Sequence, residues 1–175
     1  MFKEERDESL FEWTMLGDVA QGRPNLGQTT DVSVYRLMQF TLRDVLVQHY
    51  GPAAADSLFY QAGQTAGRHF YERLITKKHD FNAFLSELQD VLKELKIGIL
   101  RIEKADMEKQ TFTITVAEDL DCSGLPVCDE EICTYDEGFL SGLLSAHTGK
   151  NFSAKEVDCW CSGDRVCRFE VCPVT

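Results

Sequence analysis

All seven cysteines of this 175-residue chain fall between Cys122 and Cys172. Cys122, Cys128 and Cys133 come first, a cysteine-free segment follows, and Cys159, Cys161, Cys167 and Cys172 close the group. So uneven a distribution points to disulfides, a metal or redox chemistry. The rest of the chain then reads as a scaffold for this region. An odd number of thiols cannot all pair. The opening residues MFKEERDESLFEW are charged and lack the apolar stretch of a secretion signal. The expected compartment is therefore the cytoplasm, where disulfides are rare. A metal is the preferred reading.

The bulk properties exclude several classes of partner. A formal charge of -11 disfavours binding to nucleic-acid phosphates, which needs a basic surface, and docking to anionic lipid. No apolar run approaches the ~18 residues of a membrane span. Hydrophobic residues at 43% and charged residues at 27% are those of a globular domain, and the length suits one core. No phosphate-binding glycine loop or hydrolase triad stands out. The expected organisation is an N-terminal extension over 1–24 and a single domain over 25–175.

Along the chain, QGRPNLGQTT reads as a loop, with Thr30 or Asp31 capping a helix over Val34–Tyr50. Val34, Leu37, Met38, Leu42, Val45 and Leu46 recur there at helical spacing. Gly51-Pro52 ends that helix and a second follows over 53–75. Gly63 and Gly67 lie four apart on it, which predicts close approach of another element. His69 reads as a packed or solvent-edge side chain. A third helix starts at His79-Asp80. The period then shortens, predicting an antiparallel hairpin of strands over 97–103 and 110–118. A fourth helix is expected over Tyr135–Ala146, closed by Thr148-Gly149, and two last strands over 154–161 and 166–172 around Ser162-Gly163-Asp164-Arg165. The fold class is α/β (α+β), an antiparallel sheet packed by helices.

In that final hairpin Cys159 and Cys167 approach each other, and neighbouring thiolates call for a divalent cation. Zinc takes four S, N or O ligands in a tetrahedron. Cys133, just before the fourth helix, is the candidate third ligand. Glu156 is the candidate fourth, although strand alternation puts it opposite Cys159 unless a bulge intervenes. Cys128, Cys161 and Cys172 read as small core residues. Asp119, Asp121, Asp129, Glu130 and Glu131 crowd the loop as a solvated acidic face.

The segment CTYDEGFLSGLLSAHTGKNFSAKEVDCWCSGDRVCRFEV resembles the C-terminal signature of the 4-vinyl reductase domain family. Cys133, Tyr135, Gly138 and Gly142 match its Cys-x-Tyr-x-x-Gly-x-x-x-Gly run. Glu156 and Cys159 match Glu-x-x-Cys, and Gly163, Asp164, Cys167 and Phe169 match Gly-Asp-x-x-Cys-x-Phe. The resemblance implies an often dimeric small-molecule-binding domain, with a fold related to haem-based nitric-oxide sensors and to a vesicle-tethering subunit. Phenol-sensing relatives hold zinc through three cysteines and a glutamate, which map onto Cys133, Glu156, Cys159 and Cys167. Cys122, Cys128, Cys161 and Cys172 lie outside that pattern, and a thiol-rich site also suits an iron–sulfur cluster.

The reading that results is a binding or sensor protein for a small hydrophobic, aromatic or tetrapyrrole-like molecule. Its zinc is structural, it forms a homodimer, and, since no output module follows Thr175, any signal passes to a separate protein partner. Tyr60, Phe112 and Tyr135 are the candidate ligand-binding residues. The rival is an iron–sulfur redox protein or reductase acting on a tetrapyrrole, and a third reading is an assembly adaptor without ligand.

Overall fold

The computed structural model describes Glu5 and residues 7–174. Two short turns of helix, a 3-10 turn Trp13–Leu16 and α1 (Val19–Gly22), precede the main elements. Asp31 caps α2 (Val32–Tyr50) by accepting the Ser33 N–H at 2.8 Å. Pro52 opens α3 (Pro52–Leu74), where an N–H would have no helical partner in any case. Asp80 caps α4 (Phe81–Glu94) through the Ala83 N–H at 2.7 Å. α5 (Thr134–Thr148) stops at Gly149, whose φ of 71° suits glycine.

Four strands, β1 (Ile99–Asp106), β2 (Thr111–Ala117), β3 (Phe152–Asp158) and β4 (Cys167–Pro173), form one sheet. Their order is β1-β2-β4-β3 and every neighbour is antiparallel. The alternation places Leu100, Phe112, Ile114, Val116, Ala154, Phe169 and Val171 on a buried face. α4 packs on β1, α5 packs on β3, and α3 covers the outer side of α5. Phe84, Leu88, Leu143 and Leu144 fill the space between, each worth roughly 1.5–3 kcal/mol of burial. The expected α/β class with an antiparallel sheet is the one observed.

The α3–α5 contact is built on glycine. A Cβ on Gly63 would overlap the Tyr135 carbonyl, and one on Gly67 the Phe139 carbonyl. The reverse holds for Gly138 against the Tyr60 carbonyl and Gly142 against the Gln64 carbonyl. The backbones therefore touch, and α5 is the element whose approach the Gly63/Gly67 spacing predicts.

Two expectations fail in instructive ways. The apolar stripe of α2 does not face the core: Val34, Leu37 and Met38 are 55%, 65% and 58% exposed, and Gln39 is the helix's one buried residue. The inward face instead carries Tyr35, Arg36 and Gln39, which bond polar groups of the 119–123 loop. The third strand also stops at Asp158, short of the expected 161. Cys159 to Asp164 curl into a tight turn, with the Ser162 and Asp164 N–H groups both donating to the Cys159 carbonyl. Cys159 and Cys161 thus leave the strand and both become buried.

Candidate metal centre

Cys133 sits at the N-terminus of α5, Cys159 opens the turn after β3, and Cys167 starts β4 on its buried face. These three converge with Cys122, which arrives on the loop after β2. The four Sγ atoms all lie within 4.8 Å of one another. Cys133 Sγ is 3.8 Å from Cys159 and 3.7 Å from Cys167, and Cys122 Sγ is 3.0 Å from Cys167. All four residues are fully buried.

Glu156 is close by in a different role. The register of β3 slips between Glu156 and Asp158, the bulge that the Glu156/Cys159 pairing requires. Its Oε2 accepts the Cys133 N–H at 3.0 Å, while Oε1 is buried with no hydrogen-bond partner. Burial pushes its carboxyl up to about 8. Glu156 does not join the group of mutually close ligand atoms. The structure thus brings Cys133, Cys159 and Cys167 together, adds Cys122, and sets the Glu156 carboxylate on the Cys133 amide.

The electrostatics of the thiol group favour a cation. Hydrogen bonds from Cys122, Cys133 and Cys167 hold the Cys159 thiol well below its ordinary range. Contacts with Cys122 and Cys159 push Cys133 and Cys167 up instead. Left to themselves, the four sulfurs accommodate about one charge. A soft divalent ion removes that limit, because it binds thiolates. The acidic loop divides: Asp119 and Asp121 are buried, whereas Asp129, Glu130 and Glu131 stay exposed. The expected solvated face therefore holds only for the last three. Asp119 Oδ1 accepts the N–H groups of Asp121 and Cys122 at 2.8 and 3.2 Å, folding the loop that delivers Cys122.

That loop is held from α2. Tyr35 Oη and Gln39 Nε2 donate to the two Asp121 oxygens at 2.8 and 2.7 Å, and Arg36 donates to the carbonyls of Leu120 and Ser123 at 2.7 and 2.9 Å. Polar residues on a helix face, spaced at one turn, were the available signal. Burial raises the carboxyls of Asp119, to about 7, and of Asp121. Asp136 is raised too, first by burial and then by these neighbours, and its Oδ2 has no partner.

Beside the centre lies an apolar cavity of about 300 Å³. Its walls include Tyr35 from α2, Ala66 and Phe70 from α3, and Tyr135, Asp136 and Phe139 from α5. Phe11, Trp13 and Leu16, from the segment read as an extension, close another side, with Phe11 edge-on to His69 at 5.1 Å. Of the candidate ligand residues, Tyr135 lines this cavity. Phe112 is packed in the core against Phe81 at 5.1 Å, and Tyr60 is not part of the wall. Nothing in the local sequence marks Phe11, Trp13 or Phe139 as wall residues, since their meeting is purely tertiary. No described helix is long and apolar enough to cross a membrane.

Comparison with known proteins places this architecture. The family model of the 4-vinyl reductase domain matches residues 112–173. Protein MJ1642 of Methanocaldococcus jannaschii, itself uncharacterised, is 30% identical over 146 residues, covering 83% of this chain and 80% of its own. A crystal structure of a vinyl-4-reductase family protein, also from M. jannaschii, superposes with a TM-score of 0.62 at 18% identity, covering 96% of this chain and 100% of the other. The phenol-responsive sensory domain of the transcription activator PoxR, solved with phenol, gives a TM-score of 0.68 at 19% identity, covering 84% of this chain and 76% of that one. With the cysteine, glycine and hairpin motifs in the places described, the chain belongs to the 4-vinyl reductase domain family.

Proposed function

We propose that this domain binds a small, largely apolar molecule in the cavity bounded by the 3-10 turn, α2, α3 and α5, and that a zinc ion ties down the walls. The observation that carries the reading is the enclosed apolar volume, with the few polar groups of Tyr35, Asp121, Tyr135 and Asp136 among its walls. The likeness to a sensory domain solved with phenol supports an aromatic occupant. Cys133, Cys159 and Cys167 would hold the metal, with Glu156 or Cys122 as the fourth ligand. The orphaned Glu156 oxygen and the concentration of thiols fit a cation. Four protein ligands leave zinc no open position, so its contribution is to crosslink segments.

The same reading includes a homodimer and a separate protein partner for output. A 19-residue helix with one buried residue leaves its apolar stripe without cover, and a second copy of α2 would supply it.

The experiment is a calorimetric titration of the purified protein with phenol, followed by larger aromatic and aliphatic probes. Saturable binding lost in Ala66→Phe, which fills the cavity, with thermal stability unchanged, is the expected result. If no probe binds across the panel, the cavity is not a ligand site.

A further inference from the structure

We propose that the fourth ligand of the metal in this chain is Cys122, giving an all-thiolate mononuclear site, with Glu156 left as a carboxylate that positions Cys133. The inference rests on the metal reading above and goes beyond it in assigning the ligand set.

Three observations converge on it. Metal–sulfur bonds of about 2.3 Å in a tetrahedron give edges of about 3.8 Å. The Cys133–Cys159 and Cys133–Cys167 separations are 3.8 and 3.7 Å, and all four sulfurs are mutually within 4.8 Å. That size suits one ion. A cluster of several irons would hold its thiolates further apart. Second, Glu156 already has a task, since its Oε2 takes the buried Cys133 N–H at the start of α5. Third, Cys122 is presented by a built loop. Asp119 accepts the Cys122 N–H at 3.2 Å, and Tyr35, Arg36 and Gln39 of α2 pin the residues on either side. Cys122 is wholly buried and 45 positions from Cys167, so no local turn brings it there.

The assignment has a consequence for the cavity. Leu120 and Asp121 precede Cys122, and Tyr135, Asp136 and Phe139 follow Cys133; all five line the cavity. An all-thiolate site therefore anchors two segments of the cavity wall to one ion. With Glu156 as ligand, the 119–123 loop would be tied only through α2.

The test uses the full chain purified anaerobically with reductant. X-ray absorption at the metal edge should show four sulfur neighbours at about 2.3 Å. Three sulfurs and one oxygen would overturn the assignment. Cys122→Ser should release zinc to a chelator at least tenfold faster than the unmodified protein, while Glu156→Gln should release it at the unmodified rate. The opposite ranking returns Glu156 to the site. If Cys122→Ser does not fold, the edge spectrum of the unmodified chain decides alone. One iron on four thiolates keeps the ligand set, whereas two or more irons with labile sulfide overturn it. Protein that carries no metal and refuses added zinc and cobalt overturns the metal reading as a whole, and leaves the cavity proposal to its own titration.

Discussion

The Glu156 carboxylate accepts the backbone N–H of Cys133 at 3.0 Å, joining β3 to the N-terminus of α5. The amide is buried and otherwise unsatisfied by the helix, as the first N–H groups of any helix are. A negative group there also faces the positive end of the helix dipole. Glu156→Ala should therefore lower the urea-unfolding free energy by roughly 1–3 kcal/mol, the usual cost of an orphaned buried donor. Glu156→Gln keeps an acceptor and should be milder. Equal losses in both would mean that charge, not the hydrogen bond, is what matters.

Gly142 meets the Gln64 carbonyl across the α3–α5 crossing. A methyl group placed there must push two backbones apart, and backbone cannot swing away as a flexible side chain can. Gly142→Ala should cost about 3 kcal/mol or more, at the upper end of overpacking effects. Gly22→Ala, with open space around its Cβ, is the control and should unfold like the unmodified protein. Thermal unfolding of the pair is the measurement. A normal Gly142→Ala would show that the two helices do not pack this closely.

His147 stacks on Phe84 at a centroid distance of 4.1 Å, with Tyr71 and Phe81 also against it, and its Nδ1 has no partner. Burial lowers its pKa below the ordinary value of 6.5. The unfolded chain then binds the proton more readily than the folded one. Its contribution to stability is present above the unfolded value and is lost as pH falls through it toward the folded value. Urea unfolding from pH 7 to pH 5 should show less of this decline in His147→Phe than in the unmodified protein. Parallel curves would assign the whole slope to the carboxylates.

Leu37 is 65% exposed on the bare stripe of α2. Under the homodimer proposal, Leu37→Glu should shift sedimentation from dimer to monomer while leaving the helical circular dichroism intact. An unmodified protein that sediments as a monomer at micromolar concentration would remove the dimer from the account.

Much of the fold was legible in residues that act locally. Asp31, Pro52, Asp80 and Gly149 mark helix ends because capping depends on residues within a turn. The alternation of Phe112, Ile114 and Val116 marked a half-buried strand for the same reason. The direction of the α2 stripe was not legible. Amphipathicity says that one face of a helix needs cover and says nothing about what covers it, and here Tyr35 and Gln39 turned the polar face to the domain. Asp119 and Asp121 misled for a related cause: a carboxylate count cannot show that hydrogen-bond donors await it.

The sequence by itself determined that the thiols belong to one region, that Gly63 and Gly67 await a close neighbour, and that Cys133, Cys159 and Cys167 lie at an α5 start and in a β-hairpin. Only the tertiary structure decided that Cys122 joins them, that Glu156 turns to the Cys133 amide, and that Phe11 and Trp13 close a cavity. The physical reason is the range of the forces involved. Caps, turns and alternation are settled within a few residues, whereas Cys122 and Cys167 meet across 45 positions because α2, held in place by α3, grips the loop that carries Cys122.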